Sequence, residues 1–290
     1  MLKLSSIFQR LFTPVLVLCI ILVPCRVIAQ RQPMVFLQAA DPQMGMFSHD
    51  RGSQREVANL SEVVDEANRL HPAFVVICGD LTNSSTNLEE LQAFRDTIAG
   101  LHIPLHLVPG NHDVGNRPTA RQIALYRKRY GRDYYTFHAG SFIGIVLDSM
   151  LMGQTTASQD TARQLAWLKE ELRSDSHRKG VEIAIFQHIP FYVNSPEDPN
   201  SYWNVPLPQR TLYLNLLRHY GVTHVFAGHL HRPVNASSGG LEIVIAGAVG
   251  KPLGGSVSGF DLVTVEEGNQ RWIHRYFPLT AMPAHLDPPW

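Results

Sequence analysis

Residues 105–113 read Leu-His-Leu-Val-Pro-Gly-Asn-His-Asp, an apolar strand-like segment followed directly by polar side chains. The Pro-Gly pair ends the strand and forces a turn. The turn places an amide, an imidazole and a carboxylate, from Asn111, His112 and Asp113, at the end of the strand. In open α/β sheets ligands bind beyond the carboxyl ends of the strands, so this stretch predicts a site as well as a strand.

Four other apolar segments of the chain end in a similar way. Each is followed by Asp, Gln or His, residue types whose oxygen and nitrogen atoms bind metal ions. The polar ends are Asp41-Pro42-Gln43, Gly79-Asp80, Gln187-His188 and Gly228-His229-Leu230-His231. One such end is usually only a turn, but five in one chain, each after a strand, indicate a shared site.

Helical periodicity alternates with most of these strands. Strand–helix–strand units imply parallel strands joined by right-handed crossovers. Ser53 and Glu56 form a capping-box pattern at the start of the first helix. The last three predicted strands have no helices between them and are expected to be antiparallel. The predicted helices are 53–70, 87–98, 119–130, 159–172 and 209–220, and the predicted strands are 34–41, 74–78, 105–108, 134–137, 142–147, 182–187, 223–227, 242–245, 259–265 and 271–277.

Residues 194–208 are rich in proline and show almost no periodicity. We interpret them as an irregular loop near the mouth of the site, where Tyr202 and Trp203 would help to shape the pocket. A plain surface excursion is an equally good interpretation of the same pattern.

The composition allows a large core and argues against a nucleic-acid-binding surface. Of 290 residues, 44% are hydrophobic, and Lys plus Arg equals Asp plus Glu at 25 each, so there is no broad basic field. The 14 histidines favour a metal site, since His is the commonest metal ligand. No repeat or linker divides the chain, and residues 30–290 are predicted to form a single domain.

Residues 1–29 have the pattern of a secretory signal peptide. Lys3 and Arg10 give a basic start, and an apolar stretch follows from Leu11 to Pro24. We therefore expect a secreted or periplasmic protein with no stable membrane span after cleavage; an uncleaved anchor is the alternative. The one cysteine that would remain, Cys78, cannot form an internal disulfide.

The polar strand ends supply seven candidate metal ligands. Two carboxylates, two amide oxygens and three imidazoles form a mixed set that suits Mn, Fe or Zn. Seven ligands exceed the needs of one tetrahedral ion and suit two metal ions that share a carboxylate. Two metals roughly 3.5–4 Å apart clamp the attacking and leaving oxygens of a phosphoester and lower the pKa of a bound water to about 7. The candidates are Asp41, Gln43, Asp80, Asn111, His188, His229 and His231.

His112 lies beside the candidate ligand Asn111 but need not bind metal. We predict that His112 protonates the leaving oxygen as a general acid and that Asp113 orients its ring. These two residues are the predicted catalytic pair.

The order of the five motifs resembles the calcineurin-like metallophosphoesterase superfamily. The motifs Asp-x-Gln, Gly-Asp-Leu, Gly-Asn-His-Asp, Gln-His-Ile-Pro and Gly-His-Leu-His span nearly all of residues 34–277. Segments 40–45, 110–119, 186–190 and 250–254 are more closely similar to the branch called calcineurin-like phosphoesterase domain-containing protein 1. The resemblance implies an α/β fold, a four-layer αββα sandwich of two mixed β-sheets flanked by helices, with two metal ions and phosphoester hydrolase activity.

The resemblance also implies how the ligands divide between the two metals. One metal would be held by Asp41, Gln43, Asp80 and His231, and the other by Asp80, Asn111, His188 and His229, with Asp80 bridging. Gln43 departs from the superfamily pattern, which places a His there, although Gln is usual in the branch. An amide oxygen is a poorer donor than imidazole for Fe or Zn, so the first metal would bind more weakly or be Mn or Mg.

The predicted function is that of an exported phosphoesterase that attacks its substrate with a metal-bridging hydroxide, with a phosphomonoesterase activity like that of protein phosphatases favoured. The rival hypothesis is a non-catalytic protein that binds a phosphate ligand and has a weakened first metal site at Gln43. A Ser/His/Asp hydrolase lacks support, because the chain has no Gly-x-Ser-x-Gly elbow. The predicted partner is a phosphoester substrate, and neither its identity nor the oligomeric state follows from the sequence.

Overall fold

A computed structural model of the chain describes residues 33–153, 157–175, 181–266 and 271–286. It contains two β-sheets with helices around them. The strands are β1 (Met34–Ala39), β2 (Val75–Cys78), β3 (Leu105–Val108), β4 (Tyr135–Ala139), β5 (Phe142–Val146), β6 (Glu182–Phe186), β7 (His224–Ala227), β8 (Val234–Ser238), β9 (Leu241–Ile245), β10 (Gly259–Glu266) and β11 (Arg271–Pro278). The helices are α1 (Gln54–Leu70), α2 (Leu88–Ile98), α3 (Asn111–Val114), α4 (Ala120–Tyr130), α5 (Ser158–Asp175) and α6 (Leu207–His219), with a 3₁₀ turn at Ser149–Met152.

The strands divide into one sheet of five and one of six. The first has the order β11-β10-β1-β2-β3 and the second the order β4-β5-β6-β7-β9-β8. In the first sheet β1, β2 and β3 are parallel, and in the second β5, β6, β7 and β9 are parallel. The remaining strands of each sheet pair antiparallel. Both sheets are therefore mixed, as predicted.

Three apolar layers hold the sheets and helices together. Phe36, Phe186 and Phe226 pack between the two sheets, while Leu37, the neighbour of Phe36 on β1, packs on the other face of its sheet with residues of α1 such as Leu60. The second sheet packs its outer face against α5 and α6. Strands buried on both faces account for the continuous apolar runs in the sequence. The predicted α/β fold, a four-layer αββα sandwich, is confirmed.

The expectation that the last three predicted strands are antiparallel is wrong for β9. It pairs antiparallel with β8 but parallel with β7, and only β10 and β11 form the expected antiparallel pair. The cause is β8, which the sequence analysis missed because Val234–Ser238 is short, mostly polar and only partly buried. A hairpin turn at Gly239 and Gly240 returns the chain alongside β7.

The capping box predicted for α1 is also absent. The Ser53 side chain makes no capping hydrogen bond. The carboxylate of Glu56 instead accepts a hydrogen bond from the backbone nitrogen of Phe47 at 2.6 Å, so it holds the loop after β1 rather than the end of the helix.

The predicted signal peptide, residues 1–29, lies outside the described residues. Within the described part of the chain, no helix is long and apolar enough to cross a bilayer. Cys78 is a buried free thiol.

Candidate metal centre

The polar ends of five strands meet at one edge of the sandwich. Asp80, His188 and His229 each offer a ligand atom, and the three atoms lie within 4.8 Å of one another. Asp41, Asp80 and His231 form a second group with the same spacing. All of these residues are buried, and Asp80 belongs to both groups. Each group could therefore hold a metal ion, with one shared carboxylate between them.

In the first group, several potential ligand atoms converge on the imidazole of His188. Its Nε2 lies 3.3 Å from Oδ2 of Asp80, 3.0 Å from Oδ1 of Asn111 and 3.2 Å from Nδ1 of His229. The other ring nitrogen of His188 is bonded to the carbonyl of Cys78 at 2.8 Å. When that nitrogen carries the proton, Nε2 is left with a free lone pair, which is how histidine ligands are usually oriented.

The other two histidines are oriented by the same device. Nε2 of His229 lies 2.9 Å from the carbonyl of Tyr202, which leaves Nδ1 facing His188. Nδ1 of His231 lies 2.6 Å from the carbonyl of Lys251, which leaves Nε2 at 3.4 Å from Oδ1 of Asp41. Each imidazole therefore turns one nitrogen to a backbone carbonyl and the other to the site.

Gln43 is oriented by Asn83, whose side-chain oxygen accepts a hydrogen bond from Nε2 of Gln43 at 2.8 Å. The other amide atom of Gln43, Oε1, is buried and has no hydrogen-bond partner among the described residues. A buried carbonyl without a partner is costly, and a cation would supply the missing interaction. The donor set and this oxygen fit the predicted metal site, and the ligand role of Gln43 stays a prediction.

The backbone at the site is strained. Asp41, Gln43, Asp80, His229 and His231 have φ between 38° and 73°, in the left-handed region. Residues other than Gly rarely adopt this conformation, and where they do, the strain often marks a functional site. In the described chain three other non-glycine residues, which are not candidate ligands, also have positive φ, namely His49, Asp50 and His71.

Two motif glycines make room for carboxylates from other strands. A Cβ atom at Gly110 would collide with the backbone nitrogen and Oδ1 of Asp80. A Cβ atom at Gly228 would lie 2.7 Å from Oδ2 of Asp41. Gly110 and Gly228 are thus required by the close approach of carboxylates from other strand ends.

The structure places His112 next to the shared carboxylate. Its backbone nitrogen donates to Oδ1 of Asp80 at 2.8 Å, and Nδ1 of its ring lies 2.7 Å from the carbonyl of Asn83. The ring is partly exposed, and the carbonyl contact leaves Nε2 as the nitrogen that can give a proton to a substrate.

Asp113 does not orient that ring, in contrast to the prediction. Its carboxylate accepts hydrogen bonds from the backbone nitrogens of Gly110 at 2.9 Å and Leu81 at 3.0 Å. The physical reason is α3, because consecutive residues of a helix do not face each other. Asp113 fixes the turn that carries the motif, and burial raises the pKa of its carboxyl to about 8.

Burial and the charges of neighbouring groups shift the pKa values of Asp80, His188 and His229. Burial opposes the charge on Asp80, but the neighbouring histidines, chiefly His188, together hold the pKa of that carboxyl well below its usual range. Burial also opposes the charge on His188, and Asp80 raises its pKa to about 9. Burial, together with the adjacent His188, lowers the pKa of His229 to about 3. A charged Asp80 and a neutral His229 are the forms that bind metal, whereas the raised pKa of His188 means that a bound metal ion must displace a proton from its ring.

The proline-rich loop lies at the mouth of this site, as the sequence interpretation proposed. Nδ2 of Asn111 donates to the hydroxyl of Tyr202 at 3.1 Å, which turns Oδ1 of Asn111 towards His188. The ring of Trp203 packs 5.6 Å from that of His229. The interpretation as a plain surface excursion is wrong.

Comparisons with known proteins agree with this geometry. The sequence profile of the family "Calcineurin-like phosphoesterase" matches residues 34–233. The chain is 32% identical over 268 residues to the serine/threonine-protein phosphatase CPPED1 of Danio rerio, with 86% of each chain covered. It is 31% identical over 269 residues to the protein of the same name from Homo sapiens, with 86% of this chain and 85% of the relative covered.

Among solved structures, the fold is similar to that of a dimetal phosphatase from Danio rerio. The TM-score is 0.61 and the sequence identity 15%, and the superposition covers 85% of this chain and 100% of the other. Together with the sequence relatives, this shows that the chain belongs to the calcineurin-like phosphoesterase family, in the branch of the CPPED1 phosphatases, and is a metallophosphoesterase.

Proposed function

We propose that the protein is an exported phosphomonoesterase with two divalent metal ions. The observation that carries the proposal is the pair of buried ligand groups that share Asp80. Asn111 would complete the group of His188 and His229, and Gln43 would complete the group of Asp41 and His231, since their amide oxygens face the site or lack partners. When bound, two such ions would supply Lewis acidity and an activated water for attack on phosphorus.

The residues of the chain would hold the ions and complete the proton transfer. The mixed set of carboxylate, amide and imidazole donors suits Mn, Fe or Zn. His112, partly exposed and fixed through Nδ1, would donate a proton from Nε2 to the leaving oxygen. General acid catalysis of this kind contributes about 100-fold to 10,000-fold to a rate.

Two further points support the choice of a monoester and of export. The relatives of similar length are named as protein phosphatases, which act on phosphomonoesters. The basic and then apolar start of the chain is typical of a secretory signal. Export is tested by N-terminal sequencing of protein recovered outside the cytoplasm, and an intact Met1 on cytoplasmic protein would overturn it.

The test of the enzyme combines metal stoichiometry with turnover. We expect two metal ions per chain and hydrolysis of both 4-nitrophenyl phosphate and glycerol 2-phosphate. His112→Ala should keep both ions and lose more rate on glycerol 2-phosphate, because a poor leaving group depends more on the acid. His102→Ala, at an exposed site, is the matched control. Two bound metals with no turnover of any monoester would refute the proposed activity, and one metal at most would favour the rival binding protein.

A further inference from the structure

A cavity of about 580 Å³ opens beside the metal centre. Its volume lies within the range of small-molecule binding sites, about 300–1,000 Å³. It is lined by Val193, Asn194, Asp198, Pro199, Ser201, Trp203, Asn204, Leu230, Arg232, Leu253 and Gly254.

Three of the residues that line the cavity adjoin histidines of the metal centre. Leu230 stands between His229 and His231 in the chain. The backbone nitrogen of Leu253 donates to the carbonyl of His231 at 3.0 Å. Trp203 packs against the ring of His229. The cavity is therefore close enough to the metal centre to receive a group esterified to a phosphate there.

The walls of the cavity offer an aromatic surface from Trp203 and a positive charge from Arg232. Trp203 is 44% exposed, although it is a large apolar side chain. The carboxylate of Asp198 is occupied, since it accepts hydrogen bonds from the backbone nitrogens of Val193 and Asn194, each at 2.9 Å. The guanidinium of Arg232 is exposed and has no ion pair within the described ranges of the chain. The walls of the cavity therefore suit a ligand that has an apolar planar group and an anionic group.

We infer that the substrate is a small phosphomonoester whose leaving group is aromatic and carries a second anionic group. The aromatic ring would lie against Trp203, and the anion would pair with Arg232. One water is consumed, the bond between phosphorus and the aryl oxygen breaks, and that oxygen leaves with a proton. This inference rests on the proposed phosphomonoesterase function and adds the substrate class.

The experiment compares three esters: phenyl phosphate, 4-carboxyphenyl phosphate and glycerol 2-phosphate. Trp203→Ala should raise KM about tenfold for both aryl esters and less than about twofold for the glycerol ester. Trp203→Phe should restore most of the loss, because it keeps an aromatic surface. These ratios compare each variant with the wild type on the same ester, so the different reactivities of aryl and alkyl esters cancel.

The charge is tested separately from the ring. Arg232→Gln should lower kcat/KM about fivefold for 4-carboxyphenyl phosphate and leave phenyl phosphate unchanged, as expected for an exposed ion pair. Arg121→Gln, on an exposed face of α4, is the control and should change neither.

The outcomes distinguish this inference from the function on which it rests. Failure of the wild type to hydrolyse any of the three esters would refute the proposed function. Equal losses on all three esters with Trp203→Ala would mean that the side chain acts on the metal centre, and this would overturn the inference. Equal effects of Arg232→Gln on the charged and neutral aryl esters would overturn the inference that the substrate carries a second anionic group.

Discussion

Asp261 is a buried acid whose replacement by Asn should stabilise the protein in a pH-dependent way. It lies on β10 between Gln38 and Tyr276 of the neighbouring strands and is 3% exposed. Its Oδ2 has no hydrogen-bond partner in the described part of the chain. Burial raises the pKa of Asp261 from 3.8 to about 7, and His274 offsets this only in part.

The size and sign of the effect follow from this pKa. Between pH 4 and pH 7 the unfolded chain loses the proton that folded Asp261 keeps, so the free energy of unfolding falls as the pH rises. The difference between 3.8 and about 7 corresponds to at most about 4 kcal/mol, since one pH unit is worth about 1.36 kcal/mol. Asp261→Asn removes this dependence and should raise the midpoint of thermal unfolding by up to about 10 °C at pH 8.

Urea unfolding of the wild type and Asp261→Asn at pH 4 and pH 8, with metal conditions held equal, measures the effect. We expect similar stability at pH 4 and a more stable variant at pH 8. Asp65→Asn, an exposed acid on α1, is the control and should show no such divergence. A difference between wild type and Asp261→Asn that does not change with pH would refute the reasoning.

Three other substitutions test the site and the fold. Gly110→Ala should lower the metal content measured by elemental analysis and destabilise the fold by about 1–3 kcal/mol, since the new methyl group collides with Asp80; normal metal content would contradict this. Asn83→Ala should weaken one of two metal-binding steps about tenfold to 100-fold in a Mn titration, because Gln43 loses the group that orients it; two unchanged steps would show that Gln43 is not held in this way. Glu242→Gln should destabilise the fold by about 1 kcal/mol at pH 6 and by less at pH 3, because the two histidines that Glu242 contacts hold its pKa below the usual range. The effect is small because these groups are partly exposed and their interaction is screened by solvent. An equal effect at both pH values in urea unfolding would contradict this.

The sequence indicated which polar side chains would meet, because each of them follows an apolar run. Parallel strands bring such ends to one edge, so the convergence of Asp80 and His188 follows from topology. The parallel pairing of β9 could not be predicted, since it depends on a short polar hairpin strand. The role of Asp113 was misjudged because adjacency in sequence says little about contact at the start of a helix.

Nothing in the sequence indicated that Asn83 would support the metal centre. In Asp-Leu-Thr-Asn-Ser-Ser it has the composition of an ordinary turn. Its role appears only when the loop after β2 lies against the loop after β1, where it contacts both Gln43 and His112. The left-handed backbone of the candidate ligands is likewise a property of the folded strand ends and not of their residue types.

The contacts of Asn83 also decide how the chain would be modified in a host that attaches sugars to asparagine. Asn83-Ser84-Ser85 and Asn235-Ala236-Ser237 both match the acceptor sequence for N-linked glycans. Nδ2 of Asn83 donates to Asp50 and its Oδ1 holds Gln43, so a glycan there would displace groups that shape the site. Asn235 is exposed on the edge strand β8. A glycan at Asn235 is compatible with the folded enzyme, and one attached at Asn83 before folding would leave the metal centre unformed.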